Sequence, residues 1–277
     1  MKHNTGYFKG LEQLDLYYQS WCPESDPRAV LLIVHGLAEH GGRYKNLVDD
    51  LVPRGYALYA LDHRGHGHSD GQRAYVERFT HYLQDLDTFF EMVRGWHPTP
   101  KTFMLGHSMG GTISLAYALH HQAKLDGLIL SAPGLQAGDS ISPLTVMACK
   151  LLATLVPKMG VQALDKEAIS RDPEVVARYD SDPLVYRGKI CARIGAEMLK
   201  TMQKFADQAP QLHLPVLIMH GSADQIVNPQ GSHWLYEAAG SKDKTLHIYE
   251  GYYHEIFNEF GREQVLADLA AWLSDRL

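Results

Sequence analysis

The sequence lacks the features that would send it to a membrane, a nucleic acid or an oxidising compartment. No apolar run approaches the ~20 residues needed to span a bilayer. The opening Met-Lys-His-Asn-Thr-Gly has no signal-peptide core, so a cytoplasmic location is expected. Cysteine is scarce: Cys22, Cys149 and Cys191 are odd in number and far apart, which suits neither a disulfide framework nor a zinc site. Basic clusters are also missing. With 26 Lys and Arg against 32 Asp and Glu the net charge is −6, and no nucleic-acid partner is expected. Repeats, low-complexity tracts and linkers are absent, while 277 residues at 45% hydrophobic and 21% charged suit an ordinary globular chain with a large core.

Histidine, by contrast, is plentiful, with 16 in the chain. The densest stretch, Asp62-His-Arg-Gly-His-Gly-His-Ser-Asp-Gly71, nearly matches the H-x-H-x-D-H run of binuclear zinc hydrolases at His66, His68 and Asp70. Gly71 stands where the next ligand would be, and no later cluster completes the set, so neither a metal nor any other cofactor is expected.

Apolar runs and helical spacings alternate along most of the chain. Residues 5–21 read as a hairpin, and Ala29–Val34, Tyr56–Leu61, Phe103–Leu105, Gly127–Ser131, Val216–Met219 and Thr245–Tyr249 read as strands. Between them, helices are expected over Arg43–Val52, around Leu83–Val93, after Ser108, over Pro229–Ala239 and over Glu263–Leu277. This pattern predicts an α/β fold whose mostly parallel central sheet is covered by helices on both faces, with the loops after the strands sharing one edge. From residue 138 to 205 the alternation stops. Leu144–Val156, Pro173–Tyr179 and Ala192–Phe205 read as helices without strands between them, which predicts a helical cap (138–205) inserted into a core made of 1–137 and 206–277. The first of these helices is apolar on nearly every face, with Lys150 its only charge. Such a helix is either buried or meets something greasy, and transient contact with a membrane or micelle is the second option.

Gly106-His107-Ser108-Met109-Gly110 fits G-x-S-x-G, and its context carries more weight than the match. A strand precedes it and a helix follows, which is the nucleophile elbow; Gly106 and Gly110 let strand and helix pass closely around a strained Ser. A Ser hydroxyl needs a base, and the base needs an orienting acid. In this order of elements the acid and then the base follow the Ser. His220-Gly-Ser-Ala-Asp224 and Glu250-Gly-Tyr-Tyr-His254 follow the two late strands, giving a candidate triad of Ser108, Asp224 and His254. Glu255 reads as a solvated charge and Asp243 as a turn residue. The backbone N–H groups of Leu37, in the loop after Val34, and Met109 are the candidate oxyanion hole.

Several blocks together resemble the monoacylglycerol lipase family of the α/β-hydrolase superfamily, which includes many bacterial lysophospholipases. They are His35-Gly-Leu-Ala-Glu-His-Gly-Gly-Arg-Tyr44, Asp62–Gly71, Gly106–Gly111, Ser131-Ala-Pro-Gly134, Ser181-Asp-Pro-Leu184, Gly221-Ser-Ala-Asp224 and Lys244–His254. The resemblance implies an α/β-hydrolase fold and a lid over an acyl tunnel with a polar end for glycerol. It further implies that Glu39 and Arg43 brace the oxyanion loop and that Tyr179 lines the polar end. Ala38 stands where the family often has glycine, and Phe257 where vertebrate members carry a second histidine. The implied function is hydrolysis of a single-chain lipid ester through an acyl-enzyme, the monoacylglycerol ester first. A lysophospholipase, a peptidase, or a general carboxylesterase or thioesterase on the same scaffold is the alternative, and a non-catalytic binding protein is a third class.

Overall fold

A computed structural model describes residues 1–136 and 153–277. The chain opens with a hairpin, β1 (Lys2–Lys9) and β2 (Asp15–Cys22), then enters β3 (Ala29–Val34). Helices and strands alternate from there: α1 (Lys45–Leu51), β4 (Tyr56–Leu61), α2 (Phe79–Trp96), β5 (Lys101–His107), α3 (Met109–His121) and β6 (Gly127–Ser131). A second region holds β7 (Gly160–Gln162), α4 (Pro173–Ser181), β8 (Ile190–Cys191) and α5 (Ala192–Gln208). The chain closes with β9 (Val216–Gly221), α6 (Gln230–Ala238), β10 (Lys244–Tyr249) and α7 (Arg262–Ser274).

Eight strands form one sheet in the order β1-β2-β4-β3-β5-β6-β9-β10. The β1–β2 and β2–β4 pairings are antiparallel and all the others parallel. The cause is visible in β3: all six residues of Ala29–Val34 are fully buried, because both faces of the strand are covered. Val30, Leu32 and Val34 face Leu86, Phe89 and Phe90 of α2 and Ile113 and Tyr117 of α3. On the other face Leu31 and Ile33 meet Leu47 and Leu51 of α1 and Val265, Leu269 and Leu273 of α7. One polar residue, Asp85, sits on the buried face of α2, where it binds the Arg64 guanidinium and the backbone N–H of Leu11. That pair fastens the β1–β2 connection and the histidine-rich loop to the same helix.

The region between β6 and β9 differs from expectation in one respect: it contains a two-stranded antiparallel sheet, β7 with β8. Strands of three and two residues are too short to show a period of two, so the sequence carries no sign of them. The expected helix over Leu144–Val156 lies almost wholly outside the described residues. Among the described residues no helix is long and apolar enough to cross a membrane.

Candidate active site

The parallel strands all end on one edge, and each delivers a loop there. After β5 the backbone turns through Ser108 at φ 55° and ψ −119° directly into α3. A non-glycine residue at such angles is strained, and close packing on each side holds it there. A Cβ on Gly106 would stand 2.4 Å from the Gly110 carbonyl oxygen, and one on Gly110 only 1.9 Å from that of Val34. Both glycines therefore do what the sequence reading asked of them. Ser108 donates its N–H to the Ser131 carbonyl at 3.0 Å, which leaves the side chain facing a cavity of about 750 Å³.

The loops after β9 and β10 bring Asp224 and His254 to the same cavity. Asp224 Oδ2 lies 2.7 Å from His254 Nδ1, while Oδ1 accepts the N–H groups of Ile226 and Val227 at 2.8 and 3.0 Å. Burial would push this carboxyl upward, but His254 and the hydrogen bonds from His220 and His254 hold it well below the usual carboxylate range. Asp224 thus serves its own turn as well as a histidine. No direct hydrogen bond links Ser108 Oγ to His254; such contacts are often long before substrate arrives. His107, the residue before Ser108, has its ring 4.7 Å from that of His254. Burial, and then the proximity of His254, push His107 down to about 4, so it stays neutral beside the base.

Leu37 and Met109 both line the cavity beside Ser108. Their N–H groups find no acceptor among the described residues, which leaves two backbone donors on cavity-lining residues. The Leu37 loop is held from behind. Glu39, itself buried, accepts the N–H of Gly36 at 2.6 Å and the Tyr44 hydroxyl at 2.8 Å. Arg43 bridges Glu39 at 3.1 Å and both oxygens of Glu255, the residue after His254. Burial alone would raise Glu39, yet Arg43 and its other neighbours bring it down to about 2. The Arg43 guanidinium also lies 4.6 Å above the Tyr179 ring, and Tyr179 borders the cavity. Glu255 is thereby corrected: it is not a solvated charge but a buried partner that ties the histidine loop to the Leu37 loop.

A family model described as serine aminopeptidase, S33, matches residues 25–261. The chain is 38% identical to the monoacylglycerol lipase of Mycolicibacterium smegmatis over 98% of its own length and 96% of that protein. The crystal structure of Paleococcus ferrophilus monoacylglycerol lipase superposes with a TM-score of 0.85 at 32% identity, covering 95% of this chain and 99% of that one. A soluble variant of monoglyceride lipase from Saccharomyces cerevisiae, solved with a substrate analog, gives 0.87 at 27% identity, covering 98% and 94%. The chain belongs to the monoacylglycerol lipase family of α/β-hydrolases. It is a serine ester hydrolase.

Within this hydrolase, Ala38 adopts φ 68°, which explains why glycine is common there: the turn needs a left-handed residue, and alanine tolerates it at some strain. Phe257 is buried in the core beneath the histidine loop, where a polar ring would need a partner. His66, His68 and Asp70 do not converge. His66 packs on His35, His68 lies 4.8 Å from Tyr17, and Asp70 accepts the Asp15 N–H. Among the described residues no group of three His, Cys, Asp or Glu side chains could hold a metal ion. The sequence reading missed Asp62, whose two carboxylate oxygens accept the N–H groups of Gly41 and His68 and so join the Leu37 loop to the next one. It also missed His40, which binds Asp182, just after α4, at 2.9 Å. Their only signal was position, just after strand ends.

Proposed function

We propose that the protein hydrolyses monoacylglycerols to fatty acid and glycerol, with Ser108 as nucleophile, His254 as base and Asp224 as its orienting acid. Residues 138–205 act as the cap over the acyl chain, and 1–137 with 206–277 as the catalytic core. The observation that carries this reading is one cavity lined by Ser108, His254 and the residues of two N–H groups without an acceptor among the described residues, together with Ile190, Met198, Leu199 and Met202. His254 takes the Ser108 proton as Oγ attacks the ester carbonyl carbon. The N–H groups of Leu37 and Met109 receive the oxyanion. His254 then returns the proton to the glycerol oxygen, which leaves an acyl-Ser108. Water, deprotonated by the same imidazole, releases the fatty acid by the reverse sequence.

Charge in the cavity favours an uncharged head group. Arg43 is the only Lys or Arg among the described lining residues, and Glu39 and Glu255 already neutralise it. A phosphate would therefore find no free cation among the described lining residues. Likewise the lining carboxylates, Glu39, Asp224 and Glu255, are all paired, so a peptide's free α-amino group has no acidic partner. Glycerol needs neither.

The test is kcat/KM on monoacylglycerols from C8 to C18, with lysophosphatidylcholine, a thioester, an aminoacyl amide and trioleoylglycerol alongside. Each buried CH₂ contributes ~0.8 kcal/mol, so four more carbons should raise kcat/KM by up to about 100-fold until the cavity is full. Equal rates on mono- and trioleoylglycerol, or a preference for acetate or lysophospholipid, would refute the monoacylglycerol reading.

A further inference from the structure

Asp224 Oδ2 is shared by two imidazoles. One is His254; the other is His220, the penultimate residue of β9, fully buried and with Nε2 3.0 Å from the same oxygen. His220 does not border the cavity and cannot reach a substrate. Its own hydrogen bonds define its proton. Nε2 faces two acceptors, Asp224 Oδ2 and the Val227 carbonyl at 3.2 Å, so Nε2 carries a hydrogen. Nδ1 lies 2.7 Å from Ser232 Oγ of α6, also fully buried, whose hydroxyl donates to a neutral ring there. The result is a network of fixed orientation: Ser232 O–H donates to His220 Nδ1, and His220 Nε2–H and His254 Nδ1–H both donate to Asp224 Oδ2.

We propose that His220 is a positioning residue of this hydrolase, its ring anchored by Ser232 and its Nε2–H set by the two acceptors it faces, which fixes the Asp224 carboxylate and draws off part of the charge that Asp224 presents to His254. The inference rests on the Ser108–His254–Asp224 reading above. Removing the His220 donor concentrates negative charge on the His254 side of Oδ2 and so favours imidazolium. The acid limb of activity must then move to higher pH. The direction is the same whether His220 is neutral or cationic, since loss of a nearby cation also favours imidazolium. The other ionisable groups near His254 are His107, with its ring 4.7 Å away, and the Glu39–Arg43–Glu255 set; none is altered by the variants below.

The experiment measures the second-order rate of fluorophosphonate labelling of Ser108 against pH, which needs the triad but no particular ester. His220→Leu should shift the acid limb upward by about half a pH unit or more and slow labelling about 10-fold at neutral pH, with ester KM unchanged. Ser232→Ala, a smaller change that removes the hydrogen bond anchoring the His220 ring and so loosens its Nε2–H contact with Asp224, should shift the limb in the same direction and serves alone if His220→Leu does not fold. His220→Gln keeps an Nε2–H donor and an acceptor for Ser232, and should restore the wild-type limb. Unshifted limbs in the Leu and Ala variants, with only thermal stability reduced, would overturn the role of His220 while leaving the triad intact. A wild-type enzyme that labels without any acid limb would overturn the triad and this inference together.

Discussion

Three histidines packed beside the Leu37 loop should make this protein acid-labile well above the range where carboxylates titrate. His35, His63 and His66 are buried, with ring centroids 4.3 Å apart for His35–His63 and 5.4 Å for His35–His66, and none hydrogen-bonds a carboxylate. His35 has no site for a second proton: Nε2 accepts the His63 N–H at 2.9 Å and Nδ1 faces the Gly36 carbonyl at 2.7 Å. Burial pushes His35 down to about 4 and His66 to about 3, from 6.5 in the unfolded chain, and pushes His63 well down too. A histidine depressed on folding contributes its full stability above 6.5 and loses it as pH falls toward the folded value, because the unfolded chain then binds more protons. At pH 5 that is about 2 kcal/mol for each of His35 and His66, so about 4 kcal/mol together, with His63 adding in the same sense. Glu39, lowered to about 2, keeps its contribution throughout this window and cannot mask the loss. Urea unfolding followed by tryptophan fluorescence at pH 7.5, 6.5, 5.5 and 5.0 measures it. His66→Gln, which retains a donor for the Arg64 carbonyl, should lessen the drop by about 2 kcal/mol. A free energy constant from pH 7.5 to 5.5, or an equal drop in the variant, would refute the reasoning.

Two further outcomes are expected. Ser108→Ala and His254→Ala should each fold and lose hydrolysis by several orders of magnitude, the double variant losing little more, while Asp224→Asn should lose up to about 10⁴-fold through the wrong tautomer; multiplicative losses in steady-state kcat/KM would show that Ser108 and His254 do not share a mechanism. Arg43→Met should lower stability by about 3–5 kcal/mol, because two buried carboxylates lose their shared partner, and should reduce kcat through both loops; chemical denaturation with kcat on one preparation checks it, and a variant of normal stability would show that the ion set is dispensable.

Much of this was legible in the sequence because it is local. Ala29–Val34 announces a strand covered on both faces, and Gly106 and Gly110 announce a backbone that nothing larger than glycine fits. The order of Ser108, Asp224 and His254 follows from the order of strands. What escaped reading is whatever depends on partners far along the chain. Glu255 looks like any charge after a histidine until Arg43, 212 residues away, is found beside it. His220 looks like one more buried residue near the end of a strand, and its role appears only when Ser232 and Asp224 close on its two nitrogens. The β7–β8 pair fails for a different reason, since strands of two and three residues have no pattern to detect.

The stitching around α4 changes what it means to open this enzyme. His40 reaches Asp182, the Tyr186 N–H donates to the Ala38 carbonyl, and Arg73 donates to the Leu184 carbonyl, all on the oxyanion side. On the base side the Glu255 N–H donates to the Ile169 carbonyl, and Arg171 is clasped by Glu259, which also accepts the Tyr253 N–H. Residues 169–186 therefore belong to the door frame and not to the door: they clamp, from outside, the two loops whose spacing sets the chemistry. Substrate must enter without disturbing them. Among the described residues, adaptation to new acyl chains then falls chiefly to the α5 face that carries Met198 and Met202, where a side chain can change size without loosening the Leu37 or the His254 loop.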